Sequence, residues 1–136
     1  MDDPDEKNDR LAYLKFSLSG VTGAGVNSAV LKVYCNALPN GSPAPVKAYS
    51  VTDDSWTESG ITWNNKPAAI TLLDTQSIIA TGAWYSFNVT SFVASEYNGD
   101  KTVSLALLDN TQAVKLAGFN SKENAANKPT LEVVMH

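Results

Sequence analysis

The side chains able to do covalent or metal chemistry are few. The only histidine, His136, is the last residue, and the only cysteine is Cys35. No internal histidine can serve a serine, so a nucleophile–base–acid set cannot be assembled. A zinc site built on histidine and cysteine is excluded for the same reason. Carboxylates do gather, at Asp53/Asp54 and at Asp2/Asp3/Asp5. The first pair can bind calcium together with nearby carbonyls, because calcium takes six to eight oxygens. The alternative is a solvated turn whose acids cap backbone amides. We expect no cofactor, with a structural calcium at Asp53 and Asp54 as the one exception to test. Hydrolysis by two carboxylates requires a cleft at a set spacing, and nothing in the chain points to one. A lyase base can be a Tyr or a Lys, and Tyr13 near Lys15 qualifies. What remains is charge and stacking, supplied by scattered Lys and Arg and by Trp56, Trp63 and Trp84.

These groups are carried by a chain of 136 residues, 43% hydrophobic and 18% charged, with a net charge of -4. That fits one folded domain and excludes a disordered chain. No apolar run reaches the length of a membrane span, and the acidic balance argues against nucleic acid as the partner. The charge is uneven. Residues 1 to 10 (MDDPDEKNDR) hold five acids and two bases, leaving nine acids and eight bases for residues 11 to 136. We read 1–10 as an acidic arm and 11–136 as a nearly neutral folded body. No basic start followed by an apolar core marks a signal peptide.

Hydrophobic alternation runs through the body. Leu11 to Leu18 puts Ala12, Leu14, Phe16 and Leu18 on one face, with Tyr13, Lys15 and Ser17 on the other. Ser28 to Asn36 sets Ala29, Leu31, Val33 and Cys35 against Val30, Lys32 and Tyr34. Both are half-buried strands. Further strands are expected at Val46–Val51, Ile61–Asn64, Ser77–Ala80, Trp84–Val89, Lys101–Leu108, Val114–Phe119 and Thr130–Met135. A short helical turn is expected at Asp53–Ser55. Thr90 to Tyr97 is the helix candidate, capped by Thr90 or Ser91 and ended by Asn98-Gly99. Short strands with regular turn signals and no βαβ rhythm predict an all-β fold. We expect an antiparallel two-sheet β-sandwich, jelly-roll-like, with one short helix.

Five segments in order carry a family resemblance: AYLKFSLS (12–19), SAVLKVY (28–34), WTESGITWNNKP (56–67), WYSFNVTSFV (84–93) and GFNSKENAANKPTLEV (118–133). Together they resemble DNRLRE-type domains, which include the alginate-binding carbohydrate-binding module family 96. The likeness covers about residues 10 to 134. Ser17 and Asn88 stand where the family carries Asp, and Lys122 where it carries Arg. The resemblance implies a non-catalytic, extracellular bacterial β-sandwich attached to a polysaccharide lyase, monomeric within a larger multidomain chain, without nucleic-acid or membrane partners. Its implied ligand is an acidic polysaccharide, alginate. The alternative is a structural or adhesive β-sandwich of a cell-surface protein.

A polyuronate needs cations spaced along a face and aromatics for its sugar rings. Lys15 with Tyr13, and Lys32 with Tyr34, offer both types on outward strand faces. The candidate basic stripe is Arg10, Lys15, Lys115 and Lys122, with Asn120 as a neutral donor. Arg10 can grip a carboxylate with two bonds, while each Lys is a point charge. Lys66 and Trp84 are further candidates. Trp56 and Trp63 are expected to fill or seal the core, and Cys35 to be a buried small hydrophobe.

Overall fold

Side chains that alternate between apolar and polar can satisfy a sheet with one buried face, and this rule builds most of the molecule. The computed structural model describes residues 10–37, 44–57, 60–61, 65–109, 118–119 and 126–136. The elements are β1 (Arg10–Ser17), β2 (Val26–Ala37), β3 (Ala44–Val51), β4 (Leu72–Ile78), β5 (Ala83–Asn88), α1 (Thr90–Tyr97), β6 (Thr102–Asp109), β7 (Gly118–Phe119) and β8 (Thr130–Met135). One sheet has the order β1-β6-β3-β4, and the other has β2 between β5 on one side and β7 and β8 on the other. Every described pairing is antiparallel.

The two sheets face each other as a β-sandwich. Leu14 of β1, Leu31, Val33 and Cys35 of β2, Val46 of β3, Phe87 of β5 and Leu105 of β6 meet in one core. Each fully buried large side chain contributes about 1.5–3 kcal/mol. Cys35 is buried and unbridged, as expected of a packing residue. Helix α1 closes one end through Val93, with Phe92 and Tyr97 packed beside it.

Several elements differ from the sequence expectation. β4 occupies Leu72–Ile78 rather than Ser77–Ala80, because its polar Asp74, Thr75 and Gln76 sit in a strand with only one hydrogen-bonded neighbour in its sheet. Asp74 earns that place by joining the sheets: its carboxylate accepts from the Asn88 amide at 2.8 Å and from Gln76 at 3.2 Å. Burial opposes its charge, yet the bonds from Asn88, Gln76 and Thr75 hold it below the usual carboxylate range. No helical turn forms at Asp53–Ser55; Asp53 instead accepts both the amide and the hydroxyl of Ser55. Ile61 lies outside any strand, and residues 62–64 lie outside the described residues. Of the expected strand at 114–119, Gly118 and Phe119 form β7 and the rest lies outside the described residues. Neither Thr90 nor Ser91 caps α1. Thr90 is its first helical residue, and its hydroxyl bonds to the Ala29 backbone while Asn88 Oδ1 accepts the Thr90 amide. Asn88 thus keeps the acceptor oxygen that an Asp would supply there.

Candidate functional site

The two outer faces of the sandwich have different fates. On the β1-β6-β3-β4 sheet, the segment after β3 folds back over the outward side chains and makes a second apolar cluster. Tyr13, Val51, Trp56 and Ala106 are buried in it. Tyr13 was expected to point to solvent; it is covered instead, with its ring 5.6 Å from Trp56 in an edge arrangement and its hydroxyl donating to the Pro67 carbonyl at 2.6 Å. Burial raises its phenol pKa, which disfavours the phenolate that a base for elimination needs. Trp56 Nε1 donates to Ser104 Oγ at 3.1 Å, and Ser104 donates to Asp54 at 2.7 Å. Lys15 serves this same cover. Its ammonium donates to the carbonyls of Asp54, at 2.7 Å, and of Trp56, and lies 4.5 Å from the centre of the Trp56 ring. A cation fully engaged by backbone and ring is positioned to hold the segment down.

The acids also converge differently from the sequence reading. Asp53 is turned to Ser55, and the partners of Asp54 are Glu96 of α1 and Asp100 of the turn that follows. Carboxylate oxygens of the three lie within 4.8 Å of one another. This all-oxygen donor set could hold a hard cation such as calcium. Like charges this close cannot all ionise together. Asp54 is raised by burial and by its bond to Asp100, whereas Asp100, the acceptor of both neighbours, is lowered. Glu96 is raised from 4.5 to about 7, by burial first and then by Asp100.

A raised carboxyl means that the native state favours the proton. Its stabilising contribution is complete below the unfolded value of 4.5 and disappears as pH climbs through about 7. In chelator-treated buffer the domain is therefore expected to lose about 1–2 kcal/mol between pH 5 and pH 8, after discounting for the exposure of the group. Denaturant midpoints of the wild type and Glu96→Gln across that range check this. The variant should be nearly flat, and an unchanged slope in it contradicts the assignment.

The outer face of the other sheet is open. Along β5, Trp84, Ser86 and Asn88 are exposed while Tyr85 and Phe87 turn inward. Along β8, Thr130, Glu132 and Val134 are exposed. Between them β2 presents Val30, Lys32 and Tyr34. Trp84 is directly opposite Tyr34, with ring centres 5.4 Å apart at 72°, and it remains 45% exposed. Lys32 lies two residues along β2, opposite Ser86 on one side and Thr130 on the other. Its ammonium is 3.0 Å from Glu132. Lys128 is exposed just before β8, at the strand end nearest Tyr34. Aromatic faces flanked by hydroxyls, amides and cations suit sugar rings, whose apolar faces stack and whose edges hydrogen-bond. The crevice of about 320 Å³ at the sandwich edge, lined by Phe16, Ser17, Leu18, Val21, Leu131 and Val133, has no charged side chain in its lining.

Among the described residues, the expected ligand residues do not form one group. Lys15 belongs to the covered side and Lys66 precedes Pro67, whose carbonyl accepts the Tyr13 hydroxyl there, while Trp84 is on the opposite outer face. Arg10 opens β1 opposite Asp109. Lys115, Asn120, Lys122 and Trp63 lie outside the described residues. Tyr34 and Lys32 were recognised as outward but not as neighbours of Trp84, and Glu132 was not recognised; the strand register is the missing signal.

An open aromatic and polar sheet face on a β-sandwich is compatible with carbohydrate binding. The comparisons agree: carbohydrate-binding module family 96 matches this chain over residues 1–135, and the chain belongs to that family. Such a domain binds carbohydrate rather than transforming it. Among curated proteins, a gellan lyase of Bacillus sp is 29% identical over 91% of this chain and 5% of its own length. The tRNA nuclease WapA of Bacillus subtilis strain 168 is 28% identical over 90% of this chain and 5% of its own. The chain thus corresponds to about a twentieth of these relatives.

Proposed function

We propose that this domain is a non-catalytic module that holds a secreted polysaccharide lyase on an acidic polysaccharide of the alginate type. The observation that carries the reading is the half-exposed Trp84 set against Tyr34, with Lys32 on the same face. Family membership and the similarity to a gellan lyase support the carbohydrate and lyase parts. No helix among the described residues is long and apolar enough to cross a membrane. A sugar chain lying along β2 stacks on Trp84 and meets cations at Lys32 and Lys128. Lys115, Asn120 and Lys122 flank β7 in sequence, and β7 pairs with the Cys35–Ala37 end of β2, so we retain them as contacts of the same chain. Arg10 is retained as an outlying contact, whereas Lys15 and Lys66 are assigned to the fold of the covered face.

One exposed ion pair contributes about 0–1 kcal/mol. Several contacts and a stacked ring must act together to reach micromolar affinity, about -8 kcal/mol. Longer oligomers should therefore bind better, and salt should weaken binding. Affinity electrophoresis in alginate, gellan and a neutral glucan tests the reading. Retardation by the acidic polymers above that by the glucan is expected. Equal retardation by the glucan, or none by either acidic polymer, overturns it. The similarity to a tRNA nuclease shows that such a module also occurs outside lyases, and this favours a second reading, a structural or adhesive β-sandwich without a glycan site.

A further inference from the structure

Lys32 reaches the open face already paired. Its only partner within ion-pair distance among the described residues is Glu132, 3.0 Å away on the neighbouring strand β8. Both groups are accessible, with side chains 38% and 57% exposed. The pair is not a direct cross-strand match: Lys32 is opposite Thr130, and Glu132 is opposite Val30, so the two reach each other diagonally. The ammonium is thereby held beside the row that runs through Tyr34 to Trp84.

We infer that Glu132 occupies the place of a sugar carboxylate on Lys32, and so acts as a built-in competitor that tempers uronate binding at this face and leaves neutral-sugar binding untouched. The inference rests on the carbohydrate reading of the face given above. The physical reason is an exchange. When a uronate ring settles on Trp84 and Tyr34, its carboxylate can replace that of Glu132 on the ammonium, and Glu132 returns to water. One charge-assisted bond is lost and one is formed, so Lys32 is never buried without a counter-ion. A neutral sugar cannot make this exchange. It must leave the Lys32–Glu132 pair intact and gains nothing from the charge. Glu132 also repels an incoming carboxylate until it moves away, which lowers affinity for the charged ligand. The pair therefore costs affinity for the charged ligand alone, and keeps Lys32 paired and in place in the unliganded protein.

The test is a double-mutant cycle on Glu132 and Lys32, read by calorimetry with alginate oligosaccharides and with a neutral glucan. Glu132→Gln keeps the side-chain shape and removes the competing charge. It should tighten alginate binding about three- to fivefold, the range of an exposed ion pair, and leave glucan binding unchanged. Lys32→Met keeps the apolar stem without the charge; it should weaken alginate binding, and Glu132→Gln should add nothing in that background. Asp53→Asn removes one negative charge from the covered side and controls for net charge; it should leave alginate binding as in the wild type. Unchanged affinity in Glu132→Gln, an equal gain in Asp53→Asn, or the same gain without Lys32 overturns the inference. If the wild type binds alginate and loses it in Trp84→Ala while Glu132→Gln is silent, only this inference falls. If the wild type binds no polysaccharide, the carbohydrate reading falls with it.

Discussion

Trp56→Ala should cost about 3–5 kcal/mol of stability, the range for removing a buried large aromatic. Trp56 is 7% exposed and is the central piece of the second apolar cluster. Its loss opens a cavity against Tyr13, leaves Ser104 without the indole donor, and strips the ring from beneath the Lys15 ammonium. Ser104 retains its bond to Asp54, so the polar network is damaged rather than abolished. In a domain of this size the loss corresponds to a melting temperature lower by roughly 10–20 °C. Trp56→Phe keeps part of the packing and should fall between. Calorimetric melting checks both. Below its melting point, Trp56→Ala should bind polysaccharide like the wild type, because the face that it holds together is the closed one. Weakened binding by a folded Trp56→Ala would place the ligand on the wrong side in our account.

Trp84→Ala should show the reverse pattern. At 45% exposure, Trp84 contributes little to the core, and its main loss is the edge contact with Tyr34. Stability should fall by no more than about 1 kcal/mol. Affinity for the acidic polysaccharide should drop by roughly thirtyfold, the effect of removing an anchoring tryptophan worth about 2 kcal/mol. Tyr34→Ala should weaken binding less, since the ring is partly covered by its neighbour. Calorimetry on the two variants, with melting curves as a control for folding, separates a ligand contact from a structural one. The two tryptophans thus divide the molecule: one side is closed by residue 56, and the other is left open at residue 84.

That division was only partly legible in the sequence. Period-two alternation correctly assigned the inward residues of β1 and β2, because a half-buried strand writes its face into every second position. The same rule misplaced Tyr13. Outward on its strand, it is buried by a segment that returns from far along the chain, and no local pattern records that return. Lys15 was read as a ligand contact for the same reason, although Trp56 supplies the carbonyl and the ring that engage it. The carboxylates show a further limit. Asp53 and Asp54 are adjacent in sequence, but Asp54 meets Glu96 and Asp100 while Asp53 turns to Ser55. Neighbouring side chains on an extended backbone point apart, so sequence adjacency is a poor guide to a shared site. The pairing of Lys32 with Glu132 depends on the register of β2 with β8, which only the folded sheet supplies.

The central claim is that the open face of the β5-β2-β8 sheet receives the polysaccharide. The most direct measurement is a residue-resolved NMR titration of the domain with alginate oligosaccharides. The account predicts that the Trp84 indole and the backbone of Tyr34, Lys32, Ser86 and Thr130 shift together with one affinity, while Trp56, Lys15 and Tyr13 stay still. Shifts confined to Lys15, Trp56 and Lys66, or no saturable shift at any residue, would contradict it.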